Sequence, residues 1–159
     1  MERLFFRLRL CCTVSLLVFL SACASSGDGS GSMLGKCPQP RFTEQAPVAV
    51  YNLKNPLQNS AAVMNAGEEL FMDTSAEVPC KQCHGSNGDG RGAMASMFDP
   101  PPRNFSCRKT VDGVPDGQLF WIIKNGSPGT SMPAFNKLSD EEIWQLVHYI
   151  RKLAKEASL

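Results

Sequence analysis

The sequence predicts an all-α domain, and three observations carry that expectation. Apolar residues recur at helical spacing over about 60–72, 116–125 and 139–154. No stretch shows the strict apolar–polar alternation of a half-buried strand. The connections at 85–115 and 126–138 are long and dense in Gly, Pro, Asn and Ser. Loops of that length inside a compact domain make sense if they wrap a large group that takes the place of side-chain core.

The first helix is expected from about Ser60 to Met72. Ser60 offers an N-cap oxygen, and Val63, Ala66, Gly67, Leu70 and Phe71 fall on one stripe. Gly67 costs about 1 kcal/mol in a helix relative to Ala, which points to a place where another backbone or a large ring comes close. Met64 and Met72 read as packing residues. The second helix is expected from about Asp116 to Asn125, with Asp116 as its cap and Gly126 as a left-handed stop. The third is the best marked. Ser139 and Glu142 have capping-box spacing. Ile143, Val147 and Ile150 form one apolar stripe and Leu146, Tyr149 and Leu153 a second, so the helix packs against two things. Arg151, Lys152 and Lys155 suit its C-terminal end.

The N-terminal third has a different character. Arg3, Arg7 and Arg9 precede an apolar run from Leu10 to Leu20, 11 residues long. That length suits a signal-peptide core and falls short of the about 20 residues of a spanning helix. The run ends in Leu20-Ser21-Ala22-Cys23, which resembles a bacterial lipobox with Cys23 as the acylated residue; an uncleaved anchor helix is the alternative. Either arrangement puts the following domain outside the cytoplasm, on the periplasmic side of a bacterial membrane. Residues 1–22 are thus expected to be a lipoprotein signal peptide. Residues 23–58 are expected to be a lipidated N-terminus, a Gly/Ser-rich tether over 24–36 and a Pro-containing extended segment over 37–58.

Composition narrows the classes further. A chain of 159 residues with 43% hydrophobic and 19% charged residues fits one globular domain. A formal net charge of +1 excludes the basic surplus of a nucleic-acid binder. Of 16 basic and 15 acidic side chains, residues 1–22 carry three Arg and one Glu, so a processed chain holds 13 and 14, too balanced to steer a partner by field. Seven cysteines divide by role. Cys11 and Cys12 lie in the signal and Cys23 is the lipid site. Cys37 and Cys107, the pair left over in an oxidising compartment, are expected to form a disulfide.

The remaining two cysteines carry the chemistry. Cys80-Lys81-Gln82-Cys83-His84 is the attachment pattern of c-type haem. Two thiols three positions apart can each add to one haem vinyl group, and the adjacent His84 can then reach the iron. A zinc half-site wants further paired ligands and a thioredoxin-like motif wants a βαβ pattern; neither is present around Cys80 and Cys83. The second axial ligand is expected in Gly129-Thr130-Ser131-Met132-Pro133-Ala134-Phe135, because a Met in a polar loop is not filling a core. Met132 stands 48 residues after His84. Met94 and Met97 are its rivals. His148, in the middle of the last helix, reads as a partly exposed helix residue.

From Asn55 to Lys155 the chain resembles a class I cytochrome c, in the style of the single-haem domains of respiratory complexes and their periplasmic carriers. The resemblance rests on Ala66 to Phe71, Cys80 to Gly85, Pro100 to Phe105, Leu119 to Ile123 with Gly126, Met132 to Phe135 and Leu138 to Leu153. It implies a cytochrome c domain over 59–159, one covalent haem c, and crossed N- and C-terminal helices where Gly67 and Phe71 meet Leu146 and Tyr149. It also implies that a prolyl carbonyl, of Pro101 or a neighbour, accepts from the ring N–H of His84. The Cys37/Cys107 pair and the extension at 37–58 depart from the family pattern.

The function expected from these residues is transfer of single electrons between protein redox partners by a membrane-tethered carrier that is not itself an enzyme. Its partners are a protein donor, a protein acceptor and a membrane held through lipid, with no nucleic acid and no small-molecule substrate. A fixed subunit of a larger oxidase or quinol-oxidising complex shares that chemistry. A haem enzyme or gas-binding protein needs an open sixth position instead.

Overall fold

The structure is a computed structural model that describes residues 33–40 and 42–157. The expected signal peptide 1–22, the lipid site Cys23 and most of the 24–36 tether lie outside the described residues. The elements are α1 (Val48–Tyr51), α2 (Ala61–Met72), α3 (Cys80–His84), a 3-10 turn (Ala95–Met97), α4 (Arg108–Val111), α5 (Asp116–Asn125) and α6 (Asp140–Glu156). No strand occurs among the described residues.

The core is assembled around α6. Both of its stripes are buried: Ile143, Val147 and Ile150, and Leu146, Tyr149 and Leu153, with Trp144 and Ala154 beside them. One side meets α2, where the Phe71 and Tyr149 rings lie 5.3 Å apart at a tilt of 56°. Gly67 permits that approach, because a Cβ there would overlap the Gln145 carbonyl and press the Tyr149 Cβ at 3.1 Å. Another side meets α5, where Trp144 stacks on Phe120 at 4.4 Å and 22°. Each such aromatic or aliphatic side chain contributes roughly 1.5–3 kcal/mol when fully buried.

The helix starts explain themselves locally. Ser60 Oγ accepts from the Val63 N–H at 3.3 Å to open α2. The capping box of α6 is complete: the Glu142 N–H donates to Ser139 Oγ at 3.3 Å and the Ser139 N–H donates to Glu142 Oε2 at 2.7 Å. Asp116 differs from expectation. Pro115 occupies the N-cap position of α5 and no side chain caps it. Asp116 Oδ1 instead accepts from Arg151 Nε at 2.9 Å and Nη2 at 2.7 Å. Arg151 in turn is more than a charge suited to a helix end. Its guanidinium also donates to the carbonyls of Val111 and Val114, clamping α6 to the 111–116 turn.

Two segments carry structure that periodicity did not reveal. The 85–115 stretch contains the 3-10 turn and α4, each under two turns long. The 37–58 segment, expected to be extended, contains α1, opened by Pro47, whose carbonyl accepts from the Val50 and Tyr51 amides at 2.8 and 2.9 Å. That segment is also sewn into the domain. Gln39 and Ala46 are buried, the Ala46 N–H donates to Gln118 Oε1 at 2.8 Å, and Asn55 Nδ2 donates to the Trp144 carbonyl at 2.8 Å.

Candidate functional site

A cavity of about 610 Å³ lies between α3, α5, Ile150 of α6 and the loop after α5. Its size falls in the range of about 300–1,000 Å³ usual for cofactor pockets. The walls are mostly apolar, with Phe105, Val111, Leu119, Ile122 and Ile123 prominent.

One wall is α3. Helical spacing over five residues puts Cys80, Cys83 and His84 on neighbouring positions of one face, and all three line the cavity. So short a helix needs outside help for its carbonyls. The following loop supplies it: the amides of Met94, Gly92 and Gly90 donate to the carbonyls of Gln82, Cys83 and His84 at 2.9, 3.1 and 2.8 Å. Cys80 and Cys83 are thiols and are not bridged to each other. Burial pushes the Cys80 thiol up to about 11 and raises Cys83 as well. Among the described residues, no group of three or more His, Cys, Asp or Glu side chains is gathered that could hold a metal ion by itself.

His84 is buried and tightly oriented. Its ring stacks on Phe105 at 4.3 Å and 17°, with Phe71 at 6.4 Å. Nδ1 donates to the Arg103 carbonyl at 3.0 Å. A carbonyl can only accept, so Nδ1 carries the proton and the tautomer with its lone pair on Nε2 is selected. The expected acceptor was a prolyl carbonyl at or near Pro101. The structure moves that role to Arg103, while Pro101 is buried in the cavity wall. Pro100, Pro101 and Pro102 have no N–H to donate, whereas the amides of Asn104 and Phe105 are anchored on Gln39 Oε1 at 2.7 Å and the Gly88 carbonyl at 2.6 Å. The peptide group that carries the Arg103 carbonyl is thus held by a residue distant in the chain.

Met132 reaches the cavity from a separate element. Its loop leaves α5 through Gly126, at φ +80°, where a Cβ would sit 2.9 Å from the Met132 carbonyl. The Ser127 N–H donates to that carbonyl at 3.1 Å and the Phe135 N–H donates to the Ile123 carbonyl at 3.0 Å, closing the loop at both ends. The Met132 N–H donates to Thr130 Oγ1 at 3.2 Å. Met94 also lines the cavity, but it hangs from α3 itself. Met97 is 72% exposed and is not among the lining residues. Met72 packs on the core and Met64 is half-buried. His148 lies away from the cavity lining, with Nε2 3.0 Å from the Leu57 carbonyl.

Cys37 and Cys107 are bonded, with Cα atoms 5.4 Å apart. Sequence reasoning did not single out Phe105, Arg103 or Gln39. Arg103 and Phe105 stood only as letters of a family run, and a backbone carbonyl or a buried Gln carries no pattern of its own.

The donor set fits a covalently attached iron porphyrin. Two thiols and an imidazole share one wall, a thioether enters from another, and apolar surface lies between them. The family match agrees. Residues 62–150 match the model of the family described as Cytochrome C oxidase, cbb3-type, subunit III. A chain from the Kuenenia stuttgartiensis reducing HAO-like protein complex is 32% identical, with a TM-score of 0.54 over 70% of this chain and 52% of that one. This chain thus spans about half the length of that relative. Cytochrome CL of the marine methylotrophic bacterium Methylophaga aminisulfidivorans is 22% identical, with a TM-score of 0.44 over 73% of this chain and 75% of that one. No curated protein matches the chain.

Proposed function

The chain belongs to the family described as Cytochrome C oxidase, cbb3-type, subunit III, and from that premise we propose how its residues hold one haem c and pass single electrons between protein partners. It is an all-α, class I c-type cytochrome, an electron-transfer protein whose cofactor is covalently bound. The observation that carries the residue assignment is the cavity that Cys80, Cys83 and His84 share with Met132. When bound, haem supplies a one-electron iron couple.

The residues divide the work. Cys80 and Cys83 attach the group through thioethers, so a small domain retains it. His84 ligates through Nε2, and the Arg103 carbonyl with the stacked Phe105 ring fixes its plane. Met132, which lines the same cavity, would offer the iron a soft thioether, a ligand type that favours the reduced state and raises the potential. An iron held by both His84 and Met132 would need little ligand rearrangement on electron transfer and would offer substrate no open site. The apolar walls keep water from the centre.

The carrier is tethered to a membrane on the periplasmic side through acylated Cys23. What supports this is the basic start, the short apolar run and the Leu20-Ser21-Ala22-Cys23 sequence. The likeness to a chain of the Kuenenia complex favours a second reading, a fixed electron-transfer subunit of a larger assembly. Purification from mild detergent separates the two: a single stable complex favours the subunit, a free cytochrome the mobile carrier.

Met132→Ala tests the site. The variant is expected to keep covalent haem, to fall in reduction potential, and to bind carbon monoxide when reduced. Spectra identical to wild type in both oxidation states would remove Met132 from the iron and turn the test to Met94.

A further inference from the structure

The carbonyl that holds His84 is itself held from a distant part of the chain. Gln39 is 4% exposed. Its side chain brackets residue 103 on both sides: Oε1 accepts from the Asn104 N–H at 2.7 Å and Nε2 donates to the Pro102 carbonyl at 3.2 Å. Its backbone completes the grip. Arg103 Nη1 donates to the Gln39 carbonyl at 2.7 Å, and the Gln39 N–H donates to Thr110 Oγ1 at 3.2 Å. Nε2 donates also to the Met33 carbonyl at 3.0 Å. The Cys37–Cys107 bridge fastens the strap two residues before Gln39 to a point three residues after Asn104. Asn104 ties the same region by donating to the Gly35 carbonyl at 3.0 Å and accepting from the Cys107 N–H at 3.1 Å.

We propose that Gln39 is a positioning residue for the axial histidine: it sets the place of the Arg103 carbonyl, and through the Nδ1–H bond of His84 it tunes the reduction potential. The proposal rests on the reading of His84 as iron ligand. The physical chain is short. The Asn104 N–H shares its peptide plane with the Arg103 carbonyl and the Pro102 carbonyl lies in the plane before it, and the Gln39 amide engages both, so the plane that carries the Arg103 carbonyl has little freedom to turn. A well-placed acceptor on Nδ1 makes the imidazole a more basic ligand, and a more basic ligand favours the oxidised iron. Releasing the carbonyl weakens that bond and raises the potential.

The test compares variants of the haem-loaded, full-length protein by redox titration, by the NMR signal of the His84 Nδ1 proton and by thermal melting. Gln39→Met keeps the volume and loses every side-chain hydrogen bond. Its potential is expected to rise, and its Nδ1 proton to exchange faster with solvent. Gln39→Asn keeps the amide on a stem one methylene shorter and is expected to shift in the same direction by less; it decides the matter if Gln39→Met does not load haem. Asn55→Ala loosens the strap at its far end, where Asn55 bonds Trp144, and is expected to lower Tm with the potential unmoved. Loaded Gln39 variants with a wild-type or lower potential overturn the proposal, even if their Tm falls. A wild-type protein without covalent haem at Cys80 and Cys83, or a His84→Ala variant with an unchanged spectrum, overturns instead the reading of the site, and the proposal falls with it.

Discussion

At Gly67 one methyl group decides whether two helices can touch. In an isolated helix Ala is better than Gly by about 1 kcal/mol. Here the added Cβ lands on the Gln145 carbonyl, a backbone group of α6 that cannot swing aside. Overpacking of that kind costs about 1–3 kcal/mol or more, so the packing loss outweighs the propensity gain. Gly67→Ala is expected to lower the urea midpoint with an unchanged m value; a raised midpoint would show that the helices can part at little cost. The costly glycine was legible in the sequence, and so was the need for a close neighbour. That the neighbour is a backbone oxygen was not, because a contact between residues 67 and 145 has no local signature.

The long C-terminal helix owes its start to a cap that the sequence announces. Glu142 Oε2 accepts from the Ser139 N–H and from Ser139 Oγ, at 2.7 and 2.8 Å. These hydrogen bonds hold the Glu142 carboxyl below the usual carboxylate range. A depressed carboxylate contributes stability above its unfolded pKa of about 4.3 and loses it as pH falls through the lower folded value. The group is near the surface, so the contribution is on the order of a few tenths of a kcal/mol. Ser139→Ala is expected to cost about 1 kcal/mol at neutral pH, and its deficit in Tm is expected to shrink below about pH 4. A deficit independent of pH would show that the bond from Ser139 Oγ to the carboxylate adds nothing to the cap. The α2, α5 and α6 boundaries were legible because each runs ten residues or more and repeats its apolar pattern. The four-residue α1 and α4 were not. Helices that short are not stable alone and exist because tertiary contacts hold them.

At the scale of the whole molecule, the Cys37–Cys107 bridge joins the ends of a segment with a sequence separation of 70. Closing a loop of that size stabilises by about 4 kcal/mol in the chain-entropy account. Replacing both cysteines by Ser is expected to lower Tm by on the order of 10 °C, with covalent haem retained; an unchanged Tm would mean that the strap's hydrogen bonds suffice without the bridge. Cys23→Ser is expected to release the protein from the membrane fraction, since stable anchoring takes two acyl chains. Retention after that change would favour an uncleaved apolar helix.

By itself the sequence determined the helical class, the three long helices and the residue types that meet a haem, because each of these is written in short-range spacing: a 3.6-residue period, a cap, two thiols and an imidazole within five positions. Tertiary structure alone decided which carbonyl orients His84 and that Gln39 grips it. It also decided that Asp116 serves Arg151 rather than a helix end, and that a Pro-containing extension is built into the domain. Those outcomes depend on which backbone groups of distant segments come within hydrogen-bond distance. A buried amide or carbonyl bonds whatever donor or acceptor the packed chain brings near, and the residue type alone does not say which one that will be.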